Sequence, residues 1–163
     1  MTVRQLVAAV LALSLSACAT LSPHEADRAA AIAASARPTT LDCERIDACA
    51  QPSPLRELAG RAFSESSPGQ PRHYAVILDS GTDAMLARVN LIRSATTAID
   101  LQTYIFDEDD AGRLVLDELL AAARRGVRVR LLMDQLSALQ NVETLAALAG
   151  AHVNFSVRLY NPV

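Results

Sequence analysis

Hydrophobic and polar positions alternate most clearly between Ala98 and Asp134, and the chain is organised around that stretch. Ala98 to Phe106 is a run of β-branched, apolar and aromatic residues, too apolar on both faces for a solvated edge, and predicts a buried strand. Four acids follow, Asp107, Glu108, Asp109 and Asp110, which suit a helix N-terminus electrostatically and offer capping oxygens. Val115, Leu116, Leu119, Ala122 and Ala123 then fall on one helical face, and Gly112 shares that face, allowing close approach to a sheet. Arg124 and Arg125 occupy the last turn, Gly126 stands at the C′ position, and Val127 to Met133 reads as the next strand. A parallel crossover, right-handed by rule, joins the two strands.

The same alternation extends outward. Tyr74 to Leu78 is a short apolar strand ending in the turn Asp79-Ser80-Gly81. Thr82 can cap a helix facing inward with Met85, Leu86, Val89, Ile92 and Ala95. Gln135 to Gln140 is a connection, and Asn141 can cap a helix with Val142, Leu145, Ala146 and Ala149 inward. Gly150 ends that helix, and Val153 to Tyr160 is a fourth strand, closed by Asn161-Pro162. The order β-α-β-α-β-α-β predicts the α/β class, an open sheet of βα units spanning residues 73–163.

The N-terminal third has a different texture. Arg4 and the roughly ten mostly apolar residues Leu6 to Leu15 form a leader too short to span a bilayer as a helix. Leu15-Ser16-Ala17-Cys18 matches the bacterial lipobox, which makes residues 1–17 a lipoprotein signal and Cys18 the lipidated residue. Ala19 is not the aspartate that retains such proteins at the inner membrane. The expected address is therefore the outer membrane, facing the periplasm. Residues 18–72 read as an Ala/Pro-rich tether, punctuated by Pro23, Pro38, Pro52, Pro54, Pro68 and Pro71, with short helices at Ala26–Ala36 and Pro54–Phe63. Cys43 and Cys49 close a local loop as a disulfide in an exported protein. A metal site built from them would draw on Asp42, Glu44 and Asp47.

Composition removes several kinds of chemistry. The chain of 163 residues is 51% apolar and only 4% aromatic, with formal net charge −3. That balance argues against bulk attraction to nucleic acid. All fifteen basic residues are arginines. The chain therefore holds no Schiff-base, P-loop or other catalytic lysine. No G-x-G-x-x-G follows the first strand, so a dinucleotide site has no support. Ligands of open α/β sheets gather at strand carboxyl ends, where Asp79, Asp107 to Asp110, Asp134 and Asn161 fall. These residues read as caps and solvated turns, or else as an acidic, magnesium-holding phosphotransfer site. His24, His73 and His152 have no partner at catalytic or zinc spacing and read as surface residues. Arg128 and Arg130 share one strand face; they can reach a phosphate, pair with acids on an adjoining helix, or face solvent.

Three segments in order carry a family resemblance: Ile99 to Phe106, Asp110 to Arg113, and Arg125 to Asp134. Together with Leu78 to Gly81 and Val157 to Pro162, they resemble the opening of a phospholipase D superfamily domain, closest to the bacterial cardiolipin-synthase-like branch, over His73 to Val163. Gln102 and Tyr104 match positions typical of the family strand. The resemblance implies phosphodiester chemistry without a metal or cofactor. Two H-x-K-x-x-x-x-D motifs meet in one site, one histidine attacking phosphorus and the other protonating the leaving alcohol, with lysines stabilising the phosphoryl oxygens. Neither motif is present: Ala26, Ala75 and Asn154 stand two positions after the three histidines. No catalytic, cofactor or metal residue transfers. The chain thus reads as the incomplete first half of such a domain, inactive alone. A phospholipid substrate is expected only in the full-length protein. The competing reading is a non-catalytic envelope lipoprotein that binds a partner or lipid.

Overall fold

The computed structural model describes residues 23–44, 49–134 and 142–160. The chain divides into two units, Met1–Ala36 and Arg37–Val163. The lipobox with Cys18, the connection Gln135 to Gln140, the Asn141 cap and the Asn161-Pro162 close all lie outside the described residues. In the first unit, helix α1 (Pro23–Ser35) carries an exposed Ile32.

The second unit holds α2 (Pro54–Ser64), α3 (Gly81–Ser94), β1 (Ala98–Thr103), α4 (Asp110–Arg124), β2 (Arg128–Asp134), α5 (Val142–Gly150) and β3 (Phe155–Tyr160). The three strands form an open parallel sheet in the order β1-β2-β3. In its register Leu101 stands opposite Leu131, and Leu131 opposite Val157. This is the α/β architecture expected from the alternation of strand and helix patterns.

Side-chain alternation along β2 shows how the sheet is used. Val129, Leu131 and Met133 are buried, while Arg128 and Arg130 between them are exposed. The buried side meets Ile92 of α3, Val115 and Leu119 of α4, Leu148 of α5 and Phe155 of β3 in one aliphatic core. The other side of the sheet is open to solvent.

α4 buries Val115, Leu119, Ala122 and Ala123, with Leu116 partly covered, as its periodicity requires. Gly126 follows with φ +98°, the left-handed C′ conformation that glycine adopts without steric cost. Other faces differ from the sequence reading. Leu86 of α3 is exposed, because α3 packs along Val89 and Ile92. Its cap is Ser80, not Thr82: the Ser80 hydroxyl accepts from the Asp83 N–H at 3.4 Å. In α5 Leu145 and Leu148 turn inward, leaving Ala146 and Ala149 exposed; the larger side chains win the core because they bury more apolar area.

The expected first strand is not in the sheet. Tyr74 to Leu78 forms no strand and has no ladder partner among the described residues, and its side chains are exposed. Strand propensity reflects packing against neighbours, and among the described residues no strand pairs with this run.

Much of the segment read as a tether packs on the α/β unit, which begins at Arg37. Residues 38–44 and 49–53 form a strap across the end of the sheet where the strands begin. The Pro38 carbonyl accepts from Val153 N–H (2.9 Å), the Asp42 N–H donates to the Arg124 carbonyl (2.9 Å), and the Gln51 N–H donates to the Arg93 carbonyl (2.9 Å). The last two satisfy carbonyls orphaned at the C-termini of α4 and α3. Cys43 and Cys49 are joined as a disulfide within the strap, Cα atoms 6.1 Å apart, and Cys43 is buried. Ser53 ends the strap; it caps α2 and hydrogen-bonds Asn90 of α3.

Arg125 is also placed unexpectedly. Rather than serving its own helix end, its buried guanidinium donates to the carbonyls of Ile92 (2.9 Å) and Arg93 (3.4 Å), closing the C-terminus of α3. Burial pushes the guanidinium below its ordinary pKa, with the nearby Glu118 carboxylate opposing that shift.

Candidate functional site

The strand carboxyl ends lie at the pole opposite the strap. There a cleft of about 290 Å³ opens between α3, the end of β1 and the N-terminus of α4. Its polar lining is Arg88, Gln102, Thr103, Asp107 and Asp109, over an apolar floor of Met85, Phe106 and Val115.

The loop that shapes the cleft spends its polar groups on itself. The Thr103 hydroxyl donates to the Ile105 carbonyl at 2.7 Å. Asp107 accepts from the Glu108 N–H at 2.8 Å, and Asp109 caps α4 by accepting from the Gly112 N–H at 2.7 Å. Gly112 is needed here for a different reason from sheet approach. A Cβ at this position would collide with the Asp107 carbonyl oxygen and lie 3.2 Å from its carbon.

The acidic run is therefore a folded turn with a helix cap. Among the described residues no three His, Cys, Asp or Glu side chains gather as metal ligands. Asp79 is exposed, and Asp134 ends β2.

A second cleft, of about 370 Å³, lies on the open face of the sheet, lined by Asp100, Gln102, Leu132, Arg130, Ser156 and Arg158. Arg130 grips Asp100 of the neighbouring strand with two nitrogens, its Nη2 donating to Oδ2 at 2.7 Å. The hydrogen bond from Arg130 holds the Asp100 carboxyl below the usual carboxylate range. The partner of Arg130 is thus a cross-strand acid, where sequence alone pointed to a helix or solvent. Arg128 faces solvent. Gln102 lines both clefts, while Tyr104 is exposed beyond them.

The histidines do not meet at either cleft. His24 lies exposed on α1, and His73 lies exposed before the run Tyr74 to Leu78. His152, read from sequence as a surface residue, is 1% exposed. Its Nδ1 accepts from the Asn154 N–H at 3.1 Å, and its Nε2 faces the Thr40 carbonyl at 3.2 Å. It is buried because it fastens the strap to the start of β3. No signal in the sequence pointed to this role, since Thr40 is 112 residues away. The clefts can therefore receive anionic oxygens at Arg88, Gln102 and Arg158, but their linings hold no histidine to act as nucleophile or general acid.

Residues 89–161 match the family described as "Cardiolipin synthase, PLD-like domain". This stretch is similar to phospholipase D-like domains. The match runs from the second half of α3 to the end of β3, and so takes in every strand of the sheet. The chain is similar to Cardiolipin synthase C of Escherichia coli, 42% identical over 85 residues, covering 52% of this chain and 18% of that protein. It is also similar to an uncharacterized protein of Helicobacter pylori strain J99, 37% identical over 110 residues, covering 67% of this chain and 22% of the relative. The chain thus spans about a fifth of the length of the curated relatives it matches. No solved structure matches it. The matched segment supplies the sheet and the cleft on its open face; Met85 and Arg88 of the other cleft, the strap and α2 precede it.

Proposed function

We propose that the chain is the N-terminal part of a phospholipase D-like phosphatidyltransferase or phosphodiesterase of phospholipid, cardiolipin-type metabolism, and that residues 1–163 are inactive by themselves. The match of residues 89–161 carries the first part of this reading. The second rests on the sequence, which holds neither an H-x-K-x-x-x-x-D motif nor any lysine. In this reading the βαβ core positions a catalytic loop that residues 1–163 do not contain. Purified chain incubated with phosphatidylglycerol is expected to form neither phosphatidic acid nor cardiolipin. Turnover abolished by replacing His24, His73 or His152 would overturn the inactivity.

We further propose that Cys18 is lipidated and holds the protein in the bacterial envelope, at the outer membrane facing the periplasm. The supporting observation is the coincidence of Arg4, the apolar run Leu6 to Leu15 and the lipobox ending at Cys18. Cells fed a labelled fatty acid are expected to label the wild-type chain and not Cys18→Ser. Equal labelling of both would remove the anchor from this account.

A further inference from the structure

No residue of α2 is buried, yet the helix is amphipathic. Leu55, Leu58, Ala59, Ala62 and Phe63 recur at helical spacing and form one apolar stripe. After α2 the chain turns through a bridge between Ser67 and Gln70, with Gly69 at φ +80°, and the run to Leu78 follows. Helix and run enclose a groove of about 640 Å³, walled chiefly by apolar side chains. Phe63 in its wall is 85% exposed, and Ile77, which follows the lining residue Val76 in sequence, is 91% exposed. Contiguous apolar surface of this kind marks a contact with something other than water.

The charges around the groove indicate what covers it. Arg72 and His73 line it, and no acidic side chain does. On the helix, with about 100° between successive residues, Glu57 falls on the side away from the stripe, while Arg56 turns toward α3, its Nη1 donating to the Ser94 carbonyl at 3.2 Å. Tyr74, half-exposed beside the groove, combines an apolar ring with a polar tip. An apolar stripe, basic residues at its margin, an interfacial aromatic and an acid turned away together fit an anionic lipid surface.

We propose that α2 and the run 71–78 form a membrane-contact hairpin that seats Phe63, Val76 and Ile77 in the interface of an anionic phospholipid bilayer. This contact stands on the patch itself and requires neither a lipid on Cys18 nor phosphatidyl transfer.

The chain contains no tryptophan, so a single one introduced into the full chain reports its own surroundings. Phe63→Trp is expected to shift its emission to shorter wavelength on phosphatidylglycerol vesicles and to be quenched when their acyl chains are brominated. Val153→Trp, at an exposed position two residues before β3, is expected to do neither. Phosphatidylcholine vesicles, or Ile77→Glu added to the reporter, should weaken the response about tenfold, with an unchanged circular dichroism spectrum for the latter. An unshifted Phe63→Trp spectrum at saturating vesicles would overturn the proposal. So would equal quenching of both reporters, which signals unfolding onto the bilayer or insertion of the leader alone. A blue shift that needs no vesicles and grows with protein concentration would assign the patch to a second copy of the chain instead.

Discussion

Gly112→Ala is expected to destabilise the protein by about 2 kcal/mol, although alanine is the better helix former by about 1 kcal/mol. The added Cβ meets the Asp107 carbonyl, a backbone group that cannot swing aside as a long side chain would. Either the loop 107–109 moves or α4 starts later. Overpacking of this kind costs about 1–3 kcal/mol, and losing the Asp109 cap about 1 more. Gly60→Ala in α2 is the internal control, because its Cβ would meet nothing within 4 Å. There the propensity gain is unopposed and the change should stabilise by roughly 0.5–1 kcal/mol. Thermal unfolding followed by circular dichroism should place Gly112→Ala roughly 6 °C below wild type, with Gly60→Ala at or above it. Finding Gly112→Ala as stable as wild type would mean that the turn before α4 is not held as described.

Phe155→Ala is expected to have the larger effect, about 3–5 kcal/mol. Phe155 is fully buried, opens β3 and stands opposite Val129 in the register. Against a total stability of about 5–15 kcal/mol for an ordinary domain, the loss removes about a fifth or more of what holds the sheet to its helices. Tyr160→Ala at the other end of the same strand, where the side chain is exposed, should change stability by no more than about 0.5 kcal/mol. Denaturant titrations of the two variants give the comparison directly. Equal losses would mean that β3 is held by its backbone ladder rather than by the core.

The parts of the fold legible in the sequence are those set by local periodicity. The α4 stripe, the alternation along β2 and Gly126 as a helix stop all follow from neighbours a few residues apart, and the structure places them accordingly. Features that depend on distant partners were not legible. Tyr74 to Leu78 has the composition of a strand, but composition cannot say whether another strand lies alongside. Ala98 to Phe106 reads as one long strand; in the structure β1 ends at Thr103, and Phe106 returns to the core from the following turn. His152 and Thr40, Arg125 and Ile92, and Arg130 and Asp100 are pairings across 30 to 112 residues. In each, the side chain that makes the bond is a histidine or arginine that sits equally well in solvent. The candidate site divides in the same way. The strand-tip location and the capping role of the acids were readable from residue type and position. The cleft between α3 and α4 requires the packing angle of two helices, which no short pattern encodes.

The strap gives the molecule a direction of mechanical loading. A pull on the chain at Arg37 is met first at Pro38, Thr40 and Asp42, which are fastened to the start of β3 and the end of α4. The load enters at the pole away from the clefts and passes into helix ends and the head of one strand, leaving the loop at 104–109 unstressed. The Cys43–Cys49 bond lies in that load path. It spans six residue steps with Cα atoms 6.1 Å apart, where the extended chain would reach about 20 Å. With the bond intact, the strap yields almost no length under tension; with it reduced, roughly 14 Å of chain is released before the fastening at Gln51 bears force.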